Sequence, residues 1–344
     1  MTTRGRIRKT LTVAAVVLLG VPAAFVLGLL AWDGDFPEGD RRVLRPGVQL
    51  DLRTAETARG PVEYDLYGSA GPVVLSVHAG LGGADQGRLF AAWLQDDGFR
   101  ILSPSRPGYL GTPLSSGRTP AEQADLLAAL LDELRIERVG VLAASAGAPV
   151  AYTFAARHPE RVWGLVSVGG TSRPVPGTPA SGSPARTAFM NTIGQKLVKL
   201  TANVSLGTIV AGTLDETSTF TAEQKAQRTA HIMDTQQVRE FFTAMFGTTF
   251  PYEERMPGTR NDSEQARALP ALPLAQVTTP SLIVHGTQDG DVPFEDGVHA
   301  AGQIPGAQHH WMEDDDHLGF WLSPAARDAQ GTARQFLLHH SPGR

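Results

Sequence analysis

The chain has 344 residues, and 30 Lys and Arg against 35 Asp and Glu give it a formal net charge of −5. This slightly acidic balance lacks the basic footprint of a nucleic-acid-binding protein, so we expect no nucleic-acid partner. Hydrophobic residues make up 42% and charged residues 19%, which excludes a wholly disordered chain. The sequence has no Cys, which excludes disulfides, thiolate metal ligands and thiol nucleophiles.

An uncharged apolar run, Leu11–Trp32, follows several basic residues near the N-terminus. As a helix it would span about 33 Å, enough for a hydrocarbon core of about 30 Å. The run is longer than the apolar region of a cleavable signal peptide, and Leu29-Leu30-Ala31 is a poor cleavage site. We predict that residues 1–34 form a single-pass membrane anchor with the rest of the chain outside the cytoplasm. Secretion after signal cleavage is the alternative.

Beyond a polar, turn-rich linker, the hydrophobic pattern alternates between strand and helix. Val48–Arg53 and Val62–Tyr67 alternate apolar and polar residues, which predicts half-buried antiparallel strands. Val73–Val77 is continuous and β-branched, which is typical of a strand buried on both faces of a parallel sheet. The following predicted elements are helix Leu89–Leu94, strand Ile101–Leu102, helix Ala121–Leu134, strand Val139–Leu142, helix Ala148–Arg157 and strand Val162–Val168. This alternation predicts a doubly wound α/β sheet.

The alternation stops after Gly170, and the next buried strand is Ser281–Val284. Helical segments fill the interval, at Phe189–Leu200, Ala222–Met233 and Gln236–Met245. The simplest interpretation is an α/β fold with a mostly parallel central sheet, helices on both faces and an inserted helical cap. The predicted domains are the anchor (1–34), a linker (35–46), the core (47–172 and 276–344) and the cap (173–275). The predicted final elements are helix Asp296–Ala301, strand His309–Met312 and helix Pro324–Leu338.

A Ser stands between a predicted buried strand and a predicted helix, in Ala143-Ala144-Ser145-Ala146-Gly147. This is the setting of a nucleophile elbow, a tight turn that needs small residues two positions before and after the Ser. Ala143 replaces the usual first Gly, but its methyl group is still small. The positive end of the next helix would point at a developing oxyanion beside Ser145. The alternative is a plain small-residue turn with Ser145 as a helix N-cap.

A glycine-rich loop, His78–Gly83, follows the first long buried strand. Such a loop lets backbone N–H groups approach a substrate carbonyl oxygen. Gly80 is the best candidate to complete an oxyanion hole with the N–H of Ala146. An ordinary glycine-rich turn is the alternative. We expect His78 to brace its own loop.

Two further segments carry a candidate acid and a candidate base. Asp289 follows the first strand after the cap and could orient an imidazole, with Asp291 as its rival. His317 follows the last predicted strand, directly after an acidic run. Nearby carboxylates would raise the pKa of His317, which suits a base that becomes charged in the transition state.

The order Ser145, Asp289, His317 is that of the α/β-hydrolase triad. The chain from about Val48 to Leu338 resembles an α/β-hydrolase with a helical cap. Besides the triad order, three segments carry the resemblance. Ser145–Pro149 resembles the S-x-G-G-P elbow of the family, and Ser103–Tyr109 resembles its D-x-R-G-x-G segment. His78–Gly82 is similar to the H-G-G-P-G loop of the proline iminopeptidase-like branch, from which it departs at Ala79 and Leu81.

The resemblance implies acyl transfer through a covalent intermediate. His317 would deprotonate Ser145, Asp289 would fix the His tautomer, and Gly80 and Ala146 would hold the oxyanion before water releases the acid. No cofactor and no metal would be required. The leading hypothesis is therefore a hydrolase of a carboxylic ester or a related small acyl substrate.

Two alternatives stay open. A proline iminopeptidase-like aminopeptidase is suggested by the H-x-G-x-G loop and by Glu253 and Glu254, although two surface glutamates are the simpler interpretation. A non-catalytic binding domain is suggested by the departures at Ala143 and Ala79.

Other conspicuous residues receive structural interpretations. We predict a packed, hydrogen-bonded role for His285, a solvated turn at Glu313–Asp316, and no metal site at His309-His310 or His339-His340. The aromatic residues of the predicted cap are interpreted first as cap core and second as acyl-pocket lining; they are Phe241, Phe242, Met245, Phe246, Phe250 and Tyr252.

Overall fold

The computed structural model describes residues 28, 43–45, 48–174, 192–268 and 271–343. The chain divides into two compact units, Met1–Glu38 with Ser181–Ile209, and Gly39–Ala180 with Val210–Arg344. In the first unit the structure describes Gly28 and residues 192–209, which form one helix and the beginning of a second.

The second unit contains a sheet whose order in the described residues is β10-β9-β8-β7-β5-β6-β4-β3. The strands are β1 (Val43–Arg45), β2 (Val48–Gln49), β3 (Arg53–Thr57), β4 (Gly60–Tyr67), β5 (Val73–Val77), β6 (Arg100–Pro104), β7 (Val139–Ala144), β8 (Val162–Val168), β9 (Ser281–Gly286) and β10 (Gln308–Met312). All neighbours from β10 to β6 run parallel, and β4 pairs antiparallel with both β6 and β3. The short strands β1 and β2 form a separate antiparallel pair. The predicted mostly parallel α/β sheet is confirmed.

Helices connect the parallel strands and fill the long interval between β8 and β9. They are α1 (Ala84–Phe90), α2 (Pro120–Glu133), α3 (Ala148–Arg157), α4 (Thr192–Val204), α5 (Leu206–Thr217), α6 (Ala222–Asp234), α7 (Gln236–Gly247), α8 (Met256–Arg267), α9 (Phe294–Gln303), α10 (Gly319–Leu322) and α11 (Ala326–His340). Helices α6 to α8 belong to the same compact unit as the sheet. They lie within the range predicted for the cap.

Alternate residues of the buried strands face different helices, as the two-residue period of a strand requires. Leu75 and Leu165 share a hydrophobic core with Leu130 of α2 and Phe154 of α3. Gly164, the neighbour of Leu165, faces the other way, since a Cβ there would lie 3.6 Å from Phe336 of α11. Helices therefore cover both faces of the sheet.

The predicted bounds of α3 and β8 agree with the structure, but two other predicted elements are wrong. The predicted strand Val48–Arg53 is divided between β2 and β3, because the backbone N–H of Asp51 donates to the Asp65 carboxylate (2.7 Å) instead of joining a ladder. The predicted helix Leu89–Leu94 spans the end of α1 and a 3₁₀ segment, Ala92–Asp97. Helices α5 and α8 were not predicted.

Among the described residues, no helix is both long and apolar enough to cross a membrane. The predicted anchor lies outside these residues except for Gly28, and most of the predicted linker lies outside them as well. Both therefore stay predictions.

Candidate active site

Ser145 lies in a tight turn between β7 and α3. Its φ of 51° is in the left-handed region, which a non-glycine residue rarely adopts. Gly147 is required here, because a Cβ at this position would lie 2.6 Å from the backbone oxygen of His78. Pro149 stands in the first turn of α3. The turn has the geometry of a nucleophile elbow, and backbone strain of this kind concentrates at functional sites.

The loop after β5 places Gly80 beside Ala146, since a Cβ built on Gly80 would lie 4.0 Å from that of Ala146. The buried His78 holds this loop. Its Nδ1 donates to the backbone oxygen of Ala79 (2.7 Å) and its Nε2 accepts the backbone N–H of Arg106 (2.9 Å). Burial lowers the pKa of His78 well below its ordinary 6.5, which keeps the ring neutral. The predicted bracing role of His78 is confirmed.

The segment containing Arg106 ties this loop to α8. Arg106 donates two hydrogen bonds to the carboxylate of Asp262, at 2.8 and 2.6 Å, and the Tyr109 hydroxyl donates a third at 2.6 Å. The Nε of Arg106 also donates to the backbone oxygen of His78 (3.2 Å). A helix of the predicted cap thus helps to hold the candidate oxyanion loop.

Asp289 is buried and makes hydrogen bonds through both carboxylate oxygens. Oδ1 accepts the backbone N–H groups of Asp291 and Val292, at 2.9 and 2.8 Å, and Oδ2 lies 2.7 Å from Nδ1 of His317. The Nε2 of His285 is 3.2 Å from the same Oδ2. Burial would raise the pKa of Asp289, but the charge of His317 and the hydrogen bonds from both imidazoles outweigh it and lower the pKa to about 2.

His317 lies between two carboxylates. Asp289 faces Nδ1, while Oδ2 of Asp291 is 3.7 Å from Nε2. Burial would lower the pKa of His317, but the attraction of Asp289, with smaller effects of Asp291 and Asp316, raises it to about 9. Of the two rival acids, Asp289 has the geometry that fixes an imidazole tautomer, and Asp291 faces the nitrogen that would exchange a proton with a nucleophile.

Strand pairing brings Ser145 to the same edge of the sheet. Ala144 of β7 pairs with Val168 of β8, so Ser145 and Gly169 are the next residues along adjacent strands. A Cβ on Gly169 would lie 3.1 Å from Nδ1 of His317, so the imidazole packs directly over this glycine. The described residues contain the Asp289–His317 hydrogen bond but none between Ser145 and His317. The catalytic roles of the three residues stay predictions.

The end of α5 contacts both loops that carry the candidate acid and base. The backbone oxygen of Thr217 accepts the N–H of Gly290 and the N–H of His317, each at 3.1 Å. Ser218 forms an isolated β-bridge with Asp289. The role of Thr217 and Ser218 was not predicted, because no local sequence pattern indicates a contact with residues about 70 to 100 positions further along the chain.

The predicted solvated turn at Glu313–Asp316 is wrong for its second half. Glu313 and Asp314 are exposed, but Asp315 and Asp316 are buried. Arg228 of α6, itself buried, donates to both buried carboxylates and so provides the opposite charge that their burial requires. Burial raises the pKa of Asp316 to about 6 despite Arg228. Arg228 therefore holds the loop that ends at His317.

Replacing Arg228 with Met is expected to lower the free energy of unfolding by about 3–5 kcal/mol, because two buried carboxylates lose their common partner. Lys225 provides the control on the same helix. Its ion pair with Asp215 is far more exposed, so Lys225→Met should change stability by about 0–1 kcal/mol. Urea unfolding of both variants measures the difference, and equal effects would contradict a structural role for the buried pair.

The raised pKa of His317 predicts an alkaline pH profile for any reaction that uses its neutral form as a base. kcat/KM should rise with pH and level off above about 9. By the same rise in its pKa, His317 contributes to the stability of the folded protein. This contribution is complete below pH 6.5 and is lost as pH rises through about 9.

Asp291→Asn removes one of the carboxylates that attract the charged form of His317. The rising limb of the kcat/KM profile should therefore move to lower pH by about one unit. Profiles of the two proteins that coincide would contradict this role of Asp291.

The other residues singled out in the sequence have structural positions. His285 is buried and hydrogen-bonded to the backbone of Val292 (3.0 Å), as predicted. Phe242 and Met245 of α7 are buried, in agreement with cap core. Glu253 and Glu254 are exposed, which agrees with surface glutamates.

Residues 72–324 match the family described as alpha/beta hydrolase fold. The chain belongs to this family. A solved alpha/beta hydrolase fold protein from Nakamurella multipartita is 37% identical, with a TM-score of 0.78 over 83% of this chain and 99% of that one. A thermophilic esterase from Thermogutta terrifontis (19% identical, TM-score 0.56, 84% of this chain and 99% of that one) shares the fold of this α/β hydrolase.

Curated relatives are hydrolases as well. A 2-hydroxy-6-oxononadienedioate/2-hydroxy-6-oxononatrienedioate hydrolase of Cupriavidus pinatubonensis is 27% identical over 230 residues, which is 65% of this chain and 72% of the relative. An uncharacterized hydrolase of Bacillus subtilis is 38% identical over 103 residues, which is 30% of this chain and 36% of the relative. The match to this second relative therefore spans about a third of its length.

Proposed function

We propose that this α/β hydrolase is a serine hydrolase that cleaves a carboxylic ester or a related small acyl compound. The observation that carries the proposal is the 2.7 Å Asp289–His317 pair at the same sheet edge as the strained Ser145. A buried imidazole held by a carboxylate, next to a Ser in an elbow, is the arrangement that activates a hydroxyl for acyl transfer.

In the proposed mechanism, Nε2 of His317 takes the proton from Ser145 Oγ as the oxygen attacks the substrate carbonyl carbon. The negative charge moves to the carbonyl oxygen, where the N–H groups of Gly80 and Ala146 stabilise it. His317 then protonates the departing alcohol. Water attacks the acyl-enzyme with His317 again as base, which releases the acid and restores Ser145. Asp289 holds Nδ1–H throughout and stabilises the imidazolium.

The surrounding charges favour an uncharged substrate. Four arginines of the described residues are buried and paired with carboxylates: Arg88 with Asp65, Arg106 with Asp262, Arg228 with Asp315 and Asp316, and Arg255 with Asp85. None of these guanidinium groups offers an unpaired charge for an anionic substrate. The exposed Glu253 and Glu254 and the neutralised Asp262 likewise give little support to recognition of a substrate ammonium, as an iminopeptidase would need.

A second candidate is hydrolysis of a carbon–carbon bond beside a ketone. The relatives named as 2-hydroxy-6-oxononadienedioate hydrolases favour it, because that compound contains no ester or amide bond. A dioate carries two negative charges and would need an unpaired positive charge to bind it. Because the buried arginines are already paired with carboxylates, they favour an uncharged ester as the substrate.

A substrate panel tests the proposal and separates the alternatives. Purified protein is incubated with p-nitrophenyl esters of increasing acyl length, a lactone, proline p-nitroanilide and a 6-oxo dienoate, and kcat/KM is measured for each. We expect turnover of esters and none of the anilide. Turnover of the anilide or of the 6-oxo compound alone would contradict ester hydrolysis, and turnover of nothing would favour the binding domain.

We also propose that residues 1–34 attach the protein to the membrane, with the α/β-hydrolase domain outside the cytoplasm. The support is the uncharged Leu11–Trp32 run behind a basic flank. In cells that express the full chain, the protein should remain in membranes after an alkaline wash. Release of a shortened soluble protein would favour signal cleavage instead.

A further inference from the structure

A second imidazole, that of His285, contacts the candidate acid. His285 is the last residue but one of β9 and is only 1% exposed. Its Nε2 lies 3.2 Å from Oδ2 of Asp289 and 3.0 Å from the backbone oxygen of Val292. The same Oδ2 is 2.7 Å from Nδ1 of His317. One carboxylate oxygen therefore has an imidazole nitrogen from each of two histidines beside it.

The surroundings of His285 decide which of its ring nitrogens carries the hydrogen. Both neighbours of Nε2 are oxygen atoms that can only accept, so a bare Nε2 would face two lone pairs. Nδ1 is buried and has no hydrogen-bond partner among the described residues. A hydrogen on Nδ1 alone would therefore be a buried donor without an acceptor, which is costly. The stable arrangement has the hydrogen on Nε2, shared between Val292 and Asp289.

Packing holds this imidazole in place. A Cβ on Gly297 of α9 would lie 2.7 Å from Nδ1, so the helix backbone lies directly against the ring. The ring of Phe294 meets it edge-on, with the two ring centroids 6.0 Å apart. Val292 is fixed as well, because its N–H donates to Oδ1 of Asp289 (2.8 Å). His285 cannot turn away from Asp289 without displacing α9.

A hydrogen-bond donor at Oδ2 withdraws negative charge from the oxygen that faces His317. Burial would raise the pKa of Asp289, but the charge of His317 and the hydrogen bonds of both histidines lower it to about 2. A less basic carboxylate attracts the imidazolium of His317 less strongly. The contact with His285 therefore opposes the effect that Asp289 has on His317.

Other charged groups near the two histidines are bound elsewhere or act on a different ring nitrogen. Asp291 is 3.7 Å from Nε2 of His317, and Asp316 is paired with Arg228. On α9, Asp296 precedes Gly297 but binds the backbone of Ser172 and the side chain of Arg173.

We propose that His285 is a positioning residue of this site, which shares its Nε2–H with Asp289 and so keeps His317 a weaker base than Asp289 alone would make it. The inference rests on the proposed function, in which neutral His317 takes the proton of Ser145. A weaker base becomes neutral at a lower pH, so a larger fraction of the protein can act near neutral pH.

Two variants with side chains of similar length separate the hydrogen bond from packing. His285→Met removes the donor, and His285→Gln keeps an N–H near the position of Nε2. kcat/KM of the full-length protein is measured against pH with a p-nitrophenyl ester. In His285→Met the rising limb should lie about 0.5–1 pH unit higher, which lowers kcat/KM near neutral pH by about three- to tenfold.

His285→Gln should keep the wild-type profile, and so should the control His339→Met, which changes an exposed residue of α11. Loss of packing alone would loosen Asp289 and would move the limb of His285→Met to lower pH. A limb that moves to lower pH or does not move would overturn the inference. The same holds if His285→Gln behaves like His285→Met.

NMR of protein with isotope-labelled histidines gives a readout that needs no catalysis. In the wild type above about pH 9, neutral His285 should carry its hydrogen on Nε2, and a hydrogen on Nδ1 would overturn the inference without any variant. The titration of His317 should move to higher pH in His285→Met. If esters are cleaved but this titration does not move, the inference alone fails. If it moves but Ser145 takes no fluorophosphonate, the proposed function fails and the role of His285 stands.

Discussion

Replacing Ser145 with Ala is expected to reduce kcat for ester hydrolysis by about 10⁶-fold, because the attacking oxygen is removed. The residual rate would come from the oxyanion donors and from substrate binding. Ala must adopt the same left-handed backbone as Ser145, so the stability of the variant should stay close to that of the wild type. Single-turnover and steady-state rates with a p-nitrophenyl ester measure the loss.

The control for this variant is Ser115→Ala, which changes an exposed serine. Its kcat should equal that of the wild type. A Ser145→Ala protein that keeps kcat within tenfold of the wild type would rule out Ser145 as the nucleophile.

Replacing Asp289 with Asn is expected to reduce kcat by about 10⁴-fold while the protein stays folded. An Asn keeps an oxygen for the backbone N–H groups of Asp291 and Val292, so the loop retains its support. It loses the negative charge that stabilises the imidazolium of His317. The pKa of His317 should therefore fall, and the rising limb of the pH profile should move to lower pH.

Asp291→Asn is the matched comparison for this prediction. Asp291 lies 3.7 Å from Nε2 of His317 and does not fix the tautomer of that imidazole. Its loss should therefore change the pH profile of kcat/KM with little effect on the rate at the plateau. A larger loss of kcat in Asp291→Asn than in Asp289→Asn would reverse the assignment of the two acids.

The fold was predictable because its signals are local. The β-branched run at Val73–Val77 indicates a strand buried on both faces, and Val162–Val168 was predicted as a further strand of the α/β alternation. The structure has both at the centre of a parallel sheet. The small residues around Ser145 are likewise a local requirement of a tight turn. Asp289 and His317 each follow a predicted strand, so they could be proposed as site residues from their order along the chain.

What the sequence could not indicate depends on tertiary contacts. The Asp315–Asp316 pair has the composition of a solvated turn, and only the approach of Arg228 from α6 makes its burial possible. The left-handed φ of Ser145 follows from packing of the elbow against β5 and not from the identity of the residue.

Intact-mass analysis after fluorophosphonate labelling tests the central claim most directly. The wild-type protein and Ser145→Ala are treated in parallel, and the mass of each is recorded. The account predicts one adduct on the wild type and none on the variant, because only a hydroxyl activated by His317 and Asp289 reacts. An unlabelled wild type, or a variant that still takes the label, would contradict it.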